Sequence, residues 1–276
     1  MASYQQEPTV ISQHPAPPIV ARCSKVIAVL FDLDDTLIDT AAAKEKKREA
    51  CIAVLKGSGA AATDEDARRY YQLFYEIVNR RSDEALQTVG LPENQLDAIL
   101  TAYSSILPEL LPGAKETLGA LGERGYVRGC VTNGKPDVQR GKIEGLGLGS
   151  FPDGSSLLLR GSLLDFAVIS GDVGCEKPDE AIYVAALHHV QQYCTAVILA
   201  EQVVFVGDRP SDWVGANKVG MISVQLLRNG AEAASVPEQE IPQQCQQPAY
   251  RITSLSDLLL VLPGTAALQE SYAAAN

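Results

Sequence analysis

Apolar and polar positions alternate in two different rhythms along this chain. KVIAVLFDL (residues 25–33) is a short run that is apolar almost throughout, the pattern of a strand buried on both faces of a parallel sheet. From Ala41 to about Leu107 the apolar positions recur at helical spacing instead. AAAKEKKREACIAVLKG (41–57) carries an amphipathic stripe, and Thr63 followed by Asp64, Glu65 and Asp66 reads as a second helix start with acids in its first turn. Ser82 and Pro92 mark two further starts, so four helices follow one another with no strand between them. After Pro112 and Gly113 the rhythm changes again. Helix GAKETLGALGERG closes at Gly125, and strands YVRGCV, FAVIS, QVVFVG, ISVQLL and RI then alternate with helical segments. That alternation predicts an α/β fold, a doubly wound parallel-sheet (Rossmann-like) core over 23–41 and 108–263 interrupted by a helical insert at 42–107. Residues 1–22, with QQ and HPAPP, read as a disordered tail, and 264–276 as a second one.

Composition narrows the class. A chain of 276 residues with 46% hydrophobic content builds one large domain or a core with a smaller insert. Its formal charge of −11 argues against nucleic acid or an anionic membrane as partner, and its apolar runs are too short to span a bilayer. MASYQQEPTV lacks the basic and apolar regions of a signal peptide. Six cysteines without a CxxC pair read as reduced thiols in a cytoplasmic setting. There are three histidines, His14 in the tail and His188 and His189 side by side on a helix, so acid–base chemistry falls to carboxylates.

Carboxylates are what the first strand delivers. VIAVLFDLDDTLIDT (26–40) ends in Asp32, Asp34, Asp35 and Asp39, and such crowding at a buried strand end calls for positive charge nearby. In doubly wound sheets ligands lie beyond the carboxyl ends of the strands, where this cluster sits. Three more strand ends carry polar motifs: Thr132-Asn133-Gly134, Lys177 before Pro178, and Asp208 with Asp212 in GDRPSDW. Each has an ordinary reading as well: a capping aspartate, an N-cap, a solvated lysine, a capped turn.

Taken in order, DxDxT, Thr-Asn-Gly, Lys-Pro and GDxxxD resemble the signature of the haloacid dehalogenase superfamily over residues 25–262. LFDLDDTLIDT, VTNG and EKPDEAIY resemble its capped phosphatases in particular, and the helical insert resembles their small cap. The resemblance implies Mg²⁺ as cofactor and a small phosphorylated metabolite as partner. Asp32 is then the nucleophile, and Asp34 the acid–base group. Thr132, Asn133, Gly134 and Lys177 are the groups around the phosphoryl oxygens. Asp32, Asp208 and the backbone carbonyl of Asp34 are metal ligands, with Asp212 orienting them. Thr36 supports the loop, and Asp35 is assigned to solvent or helix capping.

A phosphomutase, which returns the phosphoryl group to a sugar, shares these residues, and a non-catalytic phosphate binder is a further alternative. A dehalogenase is disfavoured by the Asp34–Thr36 arrangement. In the insert, Lys44, Lys46, Arg48, Tyr70, Tyr71, Arg80 and Arg81 are candidates for substrate contact, although KEKKR reads equally as a solvated face and the tyrosines as packing. DGSSLLLRGSLLD (153–165) stands as an addition to the family pattern, a small hairpin or a flap, and 229–250 as a polar surface loop.

Overall fold

The computed structural model describes residues 9–11, 25–80, 90–152, 155–228 and 245–262. Seven strands make one sheet: β1 (Thr9–Ile11), β2 (Ala28–Phe31), β3 (Val127–Thr132), β4 (Phe166–Ile169), β5 (Val203–Gly207), β6 (Ile222–Leu226) and β7 (Tyr250–Ile252). Their order is β1-β7-β6-β5-β2-β3-β4, and all pairings are parallel. The chain therefore winds outward from β2 through β3 to β4, returns to β5, and winds the other way. β2 lies at the reversal, with Phe31 opposite Cys130 on one side and Val206 on the other. This is the doubly wound α/β core expected from the alternation, with β2 at its switch point.

The continuous apolar runs are explained by layers on both faces. Val29 and Phe31 pack with Leu118 and Leu121 of helix α4 (Ala114–Glu123), Ile143 of α5 (Pro136–Gly145), and Leu258 and Val261 of α9 (Leu258–Val261). Ala28 and Leu30 face the opposite layer, Ile182, Tyr183 and Ala186 of α7 (Glu180–Gln191) and Ala216 of α8 (Pro210–Val219). A short helix, α6 (Ser170–Val173), continues directly from β4.

Residues 39–109 form a separate compact unit. It holds α1 (Thr40–Gly57), α2 (Asp64–Arg80) and α3 (Glu93–Ser104), around Cys51, Leu55, Ala67, Phe74 and Ile99. Asp39 caps α1, its carboxylate accepting from the Ala42 N–H at 3.0 Å. Thr63 and Asp66 form a reciprocal box at the start of α2, Thr63 Oγ1 accepting from Asp66 N and Asp66 Oδ2 from Thr63 N, both at 3.1 Å. The helix start read at Ser82 lies outside the described residues, as do 264–276 and most of 229–250. No helix among the described residues is long and apolar enough to cross a membrane.

One segment differs from the sequence reading, and a second takes the hairpin rather than the flap read for it. Within the segment read as a tail, Thr9–Ile11 is a strand on the outer side of β7; three residues are too few to show an apolar period. The 155–165 stretch folds down on the sheet edge rather than standing off as a flap. Ala167 N donates to Ser156 O at 2.8 Å and Leu158 N to Asp165 O at 3.1 Å, and Leu158 and Leu164 are buried in the core. Two leucines sent inward are enough to fix such a short excursion. They also cover the free side of β4, an edge that would otherwise present unpaired backbone groups.

Candidate active site

Four strand ends converge because β2 lies between β3 and β5. Asp32 follows β2 directly, with its N–H donated to Val206 O at 2.9 Å. Thr132 is the last residue of β3, and Asp208 the first after β5. Lys177 comes from the segment between α6 and α7, whose backbone is tied to β3 by one side chain. Asn133 Nδ2 donates to Lys177 O at 3.1 Å, while Asn133 Oδ1 accepts from Lys177 N at 2.8 Å. The Asn133 side-chain amide is therefore engaged with Lys177. Among the groups of that turn expected to face a phosphate, it is one the structure turns elsewhere.

Lys177 Nζ reaches 2.5 Å from Asp32 Oδ1 and 2.7 Å from Asp212 Oδ1, with 3% of the lysine side chain exposed. The second Asp212 oxygen accepts from Arg209 N at 2.9 Å, so both its oxygens are engaged. Space for it comes from Gly207: a Cβ at that position would collide with the Asp212 carboxylate. Asp208 differs. It lies 3.7 Å from Arg209 Nε through Oδ2, and its Oδ1 is buried with no hydrogen-bond partner among the described residues. Oxygens of Asp32, Asp208 and Asp212 lie within 4.8 Å of one another.

Three carboxylates thus crowd around one buried ammonium, which bonds two of them. Burial pushes Asp32 up to about 7; Lys177 opposes the rise, and Asp212 and Asp208 add to it. Asp208 is driven up to about 6 by burial and by Asp212. Burial alone would lower Lys177, but Asp212 and Asp32 outweigh it and hold the ammonium charged. A buried acceptor without a donor among the described residues, within a cluster of carboxylate oxygens, could hold a hard divalent cation.

Asp34 points to another part of the site. Its carboxylate meets Lys142 Nζ at 2.7 and 2.9 Å and Gln139 Nε2 at 2.9 Å, both on α5. The same Gln139 nitrogen lies 2.6 Å from Thr132 Oγ1. Neither α5 residue stood out in the sequence, where QRGK reads as an ordinary polar helix face. Gly134, at φ +146°, donates its N–H to Ser170 Oγ at 2.9 Å.

Asp35 is corrected. It is buried, at φ +64°, and paired with Arg228 Nη1 at 2.6 Å, with Arg209 Nη2 at 3.6 Å, rather than facing solvent. A guanidinium supplied from the end of β6 makes this burial tolerable, and nothing local in DLDDT announces it. Thr36 is fully buried, and its hydroxyl has no hydrogen-bond partner among the described residues. Its contribution to the loop is packing and the 3.4 Å bond from its N–H to Leu33 O.

In the helical unit Lys46 pairs with Glu109, Arg48 with Glu45, and Lys44 is exposed. Tyr71 is buried and stacks on Tyr75 with ring centroids 5.8 Å apart, while Tyr70 is half-buried. The Arg80 side chain and Arg81 lie outside the described residues.

The acidic centre lies at the carboxyl edge of a doubly wound sheet, around one buried lysine. The chain belongs to the haloacid dehalogenase-like hydrolase family, whose profile matches residues 27–220. It is 31% identical over 218 residues to a glyceraldehyde 3-phosphate phosphatase of Methanopyrus kandleri, covering 73% of this chain and 84% of that one. A phosphoserine phosphatase of Thermus thermophilus is 33% identical over 120 residues, 43% of this chain and 41% of the relative. Among solved structures, the magnesium-bound HAD-hydrolase YfnB of Bacillus subtilis superposes with a TM-score of 0.57 at 20% identity, covering 86% of this chain and 98% of that one.

Proposed function

We propose that this enzyme hydrolyses a small organic phosphate monoester through a phosphoryl group carried on Asp32. An Asp32 oxygen attacks phosphorus and the ester P–O bond breaks. Asp34 gives its proton to the departing alkoxide, so the alcohol leaves neutral. Water then attacks the phosphorus of the aspartyl-phosphate and loses a proton to Asp34. The P–O bond to Asp32 breaks, releasing inorganic phosphate and restoring Asp32 as the carboxylate and Asp34 as the acid. Thr132, the Asn133 backbone N–H and Lys177 would face the phosphoryl oxygens, whose charge must be balanced as it spreads in the transition state.

Asp32, Asp208 and the Asp34 carbonyl would hold Mg²⁺, with Asp212 keeping Lys177 and the Asp208 turn in place. When bound, the metal supplies positive charge that lets an anionic carboxylate approach an anionic phosphate. The observation that carries this reading is the buried Asp208 Oδ1, without a hydrogen-bond partner among the described residues, beside the Asp32–Lys177 pair. The substrate we favour is a short phosphorylated metabolite, with glyceraldehyde 3-phosphate first in line because several relatives are named for it.

The test is turnover of a panel of phosphorylated metabolites with Mg²⁺ and with excess EDTA, together with mass analysis of the quenched enzyme. Turnover should require Mg²⁺, with inorganic phosphate released and a transient phosphoryl adduct on the peptide bearing Asp32. Asp32→Asn should show neither. Full activity in chelator, or an adduct elsewhere, would refute the assignment. Transfer of the phosphoryl group to a second sugar position, without release of phosphate, would select the mutase instead.

A further inference from the structure

Gln139 is almost wholly buried, yet it is polar and sits on a helix outside all four strand-end motifs. A buried amide without partners is costly, so its partners reveal what the position is for. They are Asp34 Oδ2 at 2.9 Å, Thr132 Oγ1 at 2.6 Å and Asn133 O at 3.1 Å, all approached by Nε2. The Asn133 carbonyl is an acceptor only and the Asp34 carboxylate is one when ionised, which fixes the amide with its NH₂ inward. Thr132 Oγ1 shares the two protons of that NH₂ with these acceptors and is itself a donor to Asn133 O at 3.5 Å. Lys142, three residues on and on the same helical face, brackets Asp34 from the other side with contacts to both oxygens. The backbone leaves room for this: a Cβ on Gly134 would meet Gln139 Cγ and Cδ at 3.0 and 3.1 Å, and its φ of +146° disfavours any other residue.

We propose that Gln139 and Lys142 are positioning residues: Lys142 holds the Asp34 carboxylate, and Gln139 ties it to the Thr132 hydroxyl, so the proton-transfer group and a phosphate-binding hydroxyl are set as one unit. This rests on the reading of Asp34 as the acid–base group. It adds that Asp34 is aimed from α5, and that a change on that helix disturbs proton transfer without touching Asp32.

The experiment compares Lys142→Met, Lys142→Arg and Gln139→Leu in the full-length, Mg²⁺-loaded enzyme on an alkyl phosphate and on p-nitrophenyl phosphate. In Lys142→Met, kcat on the alkyl phosphate should fall on the order of 10²-fold with KM little changed, as expected for a group moved by about 1 Å. p-Nitrophenolate leaves without a proton, so that substrate should give a burst near one product per enzyme and then a slow phase limited by hydrolysis of the adduct. Lys142→Arg should recover part of the loss. In an Asp34→Asn background Lys142→Met should cost nothing further, since the two act through one carboxylate. Gln139→Leu, close in volume at a buried position, should raise KM and weaken inhibition by inorganic phosphate. An additive loss in the double mutant, an unchanged kcat in Lys142→Met, or unaltered phosphate inhibition in Gln139→Leu would overturn the proposal. If Asp34→Asn collapses while Lys142→Met does not, this inference alone fails. If Asp34→Asn itself is near wild type, the acid–base reading fails and takes the inference with it.

Discussion

Lys177 illustrates how a single side chain is made to hold an acidic centre together. A buried ion pair gains little net stability over a hydrophobic alternative, but removing one partner leaves an uncompensated charge and is strongly destabilising. Here one ammonium serves Asp32 and Asp212, and Asp212 can reach it only because position 207 lacks a side chain. Gly207→Ala should therefore push Asp212 off Lys177. We expect a loss of about 1–3 kcal/mol in stability from the forced shift, and a fall in kcat on the order of 10²-fold from the misplaced lysine. Urea unfolding and steady-state kinetics would read both, and near-wild-type values would mean that Asp212 has somewhere else to go. At this scale the sequence was legible where a residue ends a strand. Asp32, Thr132 and Asp208 are such residues, and their convergence follows from the sheet. It was silent where the partner is remote or helical. The burial of Asp35 depends on Arg228, 193 residues later, and Gln139 and Lys142 lie in a polar helical stretch whose direction no periodicity reveals.

Among the elements, the 155–165 segment shows why an addition to a family pattern can be structural. Its two inward leucines join the core beneath β4, and Leu164 has no exposed surface. Leu164→Ala should cost about 2–5 kcal/mol, the range for a buried leucine whose cavity refills only in part. Calorimetry would measure it, and a loss below about 1 kcal/mol would show the segment to be dispensable packing. The helical unit at 39–109 raises the opposite expectation. Substrate choice is assigned to it by resemblance. Replacing residues 43–107 with a short linker should leave weak p-nitrophenyl phosphate hydrolysis and abolish discrimination among metabolites. Preference that survives the deletion would move specificity to the sheet core. The helical rhythm of this unit was plain in the sequence. Which of its side chains touch a substrate was not, because lysines and tyrosines on an amphipathic helix serve packing and solvation equally well.

Considered as one body, the protein carries a net charge of −11 and holds part of that charge in its interior. Asp32 and Asp208 rise from an ordinary 3.8 to about 7 and about 6 in the metal-free fold. Groups raised on folding bind protons more tightly when folded. Their contribution to stability is complete below the unfolded value and is lost as pH rises through the folded one. The metal-free protein should accordingly weaken between about pH 4 and about pH 7 through these two acids. Mg²⁺ competes with protons for the same oxygens, so its stabilising effect should grow in the other direction. Melting temperatures with and without Mg²⁺ at about pH 5 and about pH 8 test this, the larger rise being expected at the higher pH. An equal rise at both would place the cation away from these carboxylates. Ca²⁺ should bind the same oxygens yet inhibit turnover, since its larger, looser coordination tolerates a bidentate Asp32 that cannot attack.

The edge strand β1 has a consequence for the order in which the molecule can be assembled. Among the described strands it comes first in the chain, yet its partner β7 comes after all the others. No pairing is open to it while β2 to β6 are being laid down, because its place in the sheet does not exist until residues 250–252 have been synthesised. Domains generally fold as units. Here the earliest of the described strands has its native partner in the latest of them, so its place in the sheet opens only when β7 is present.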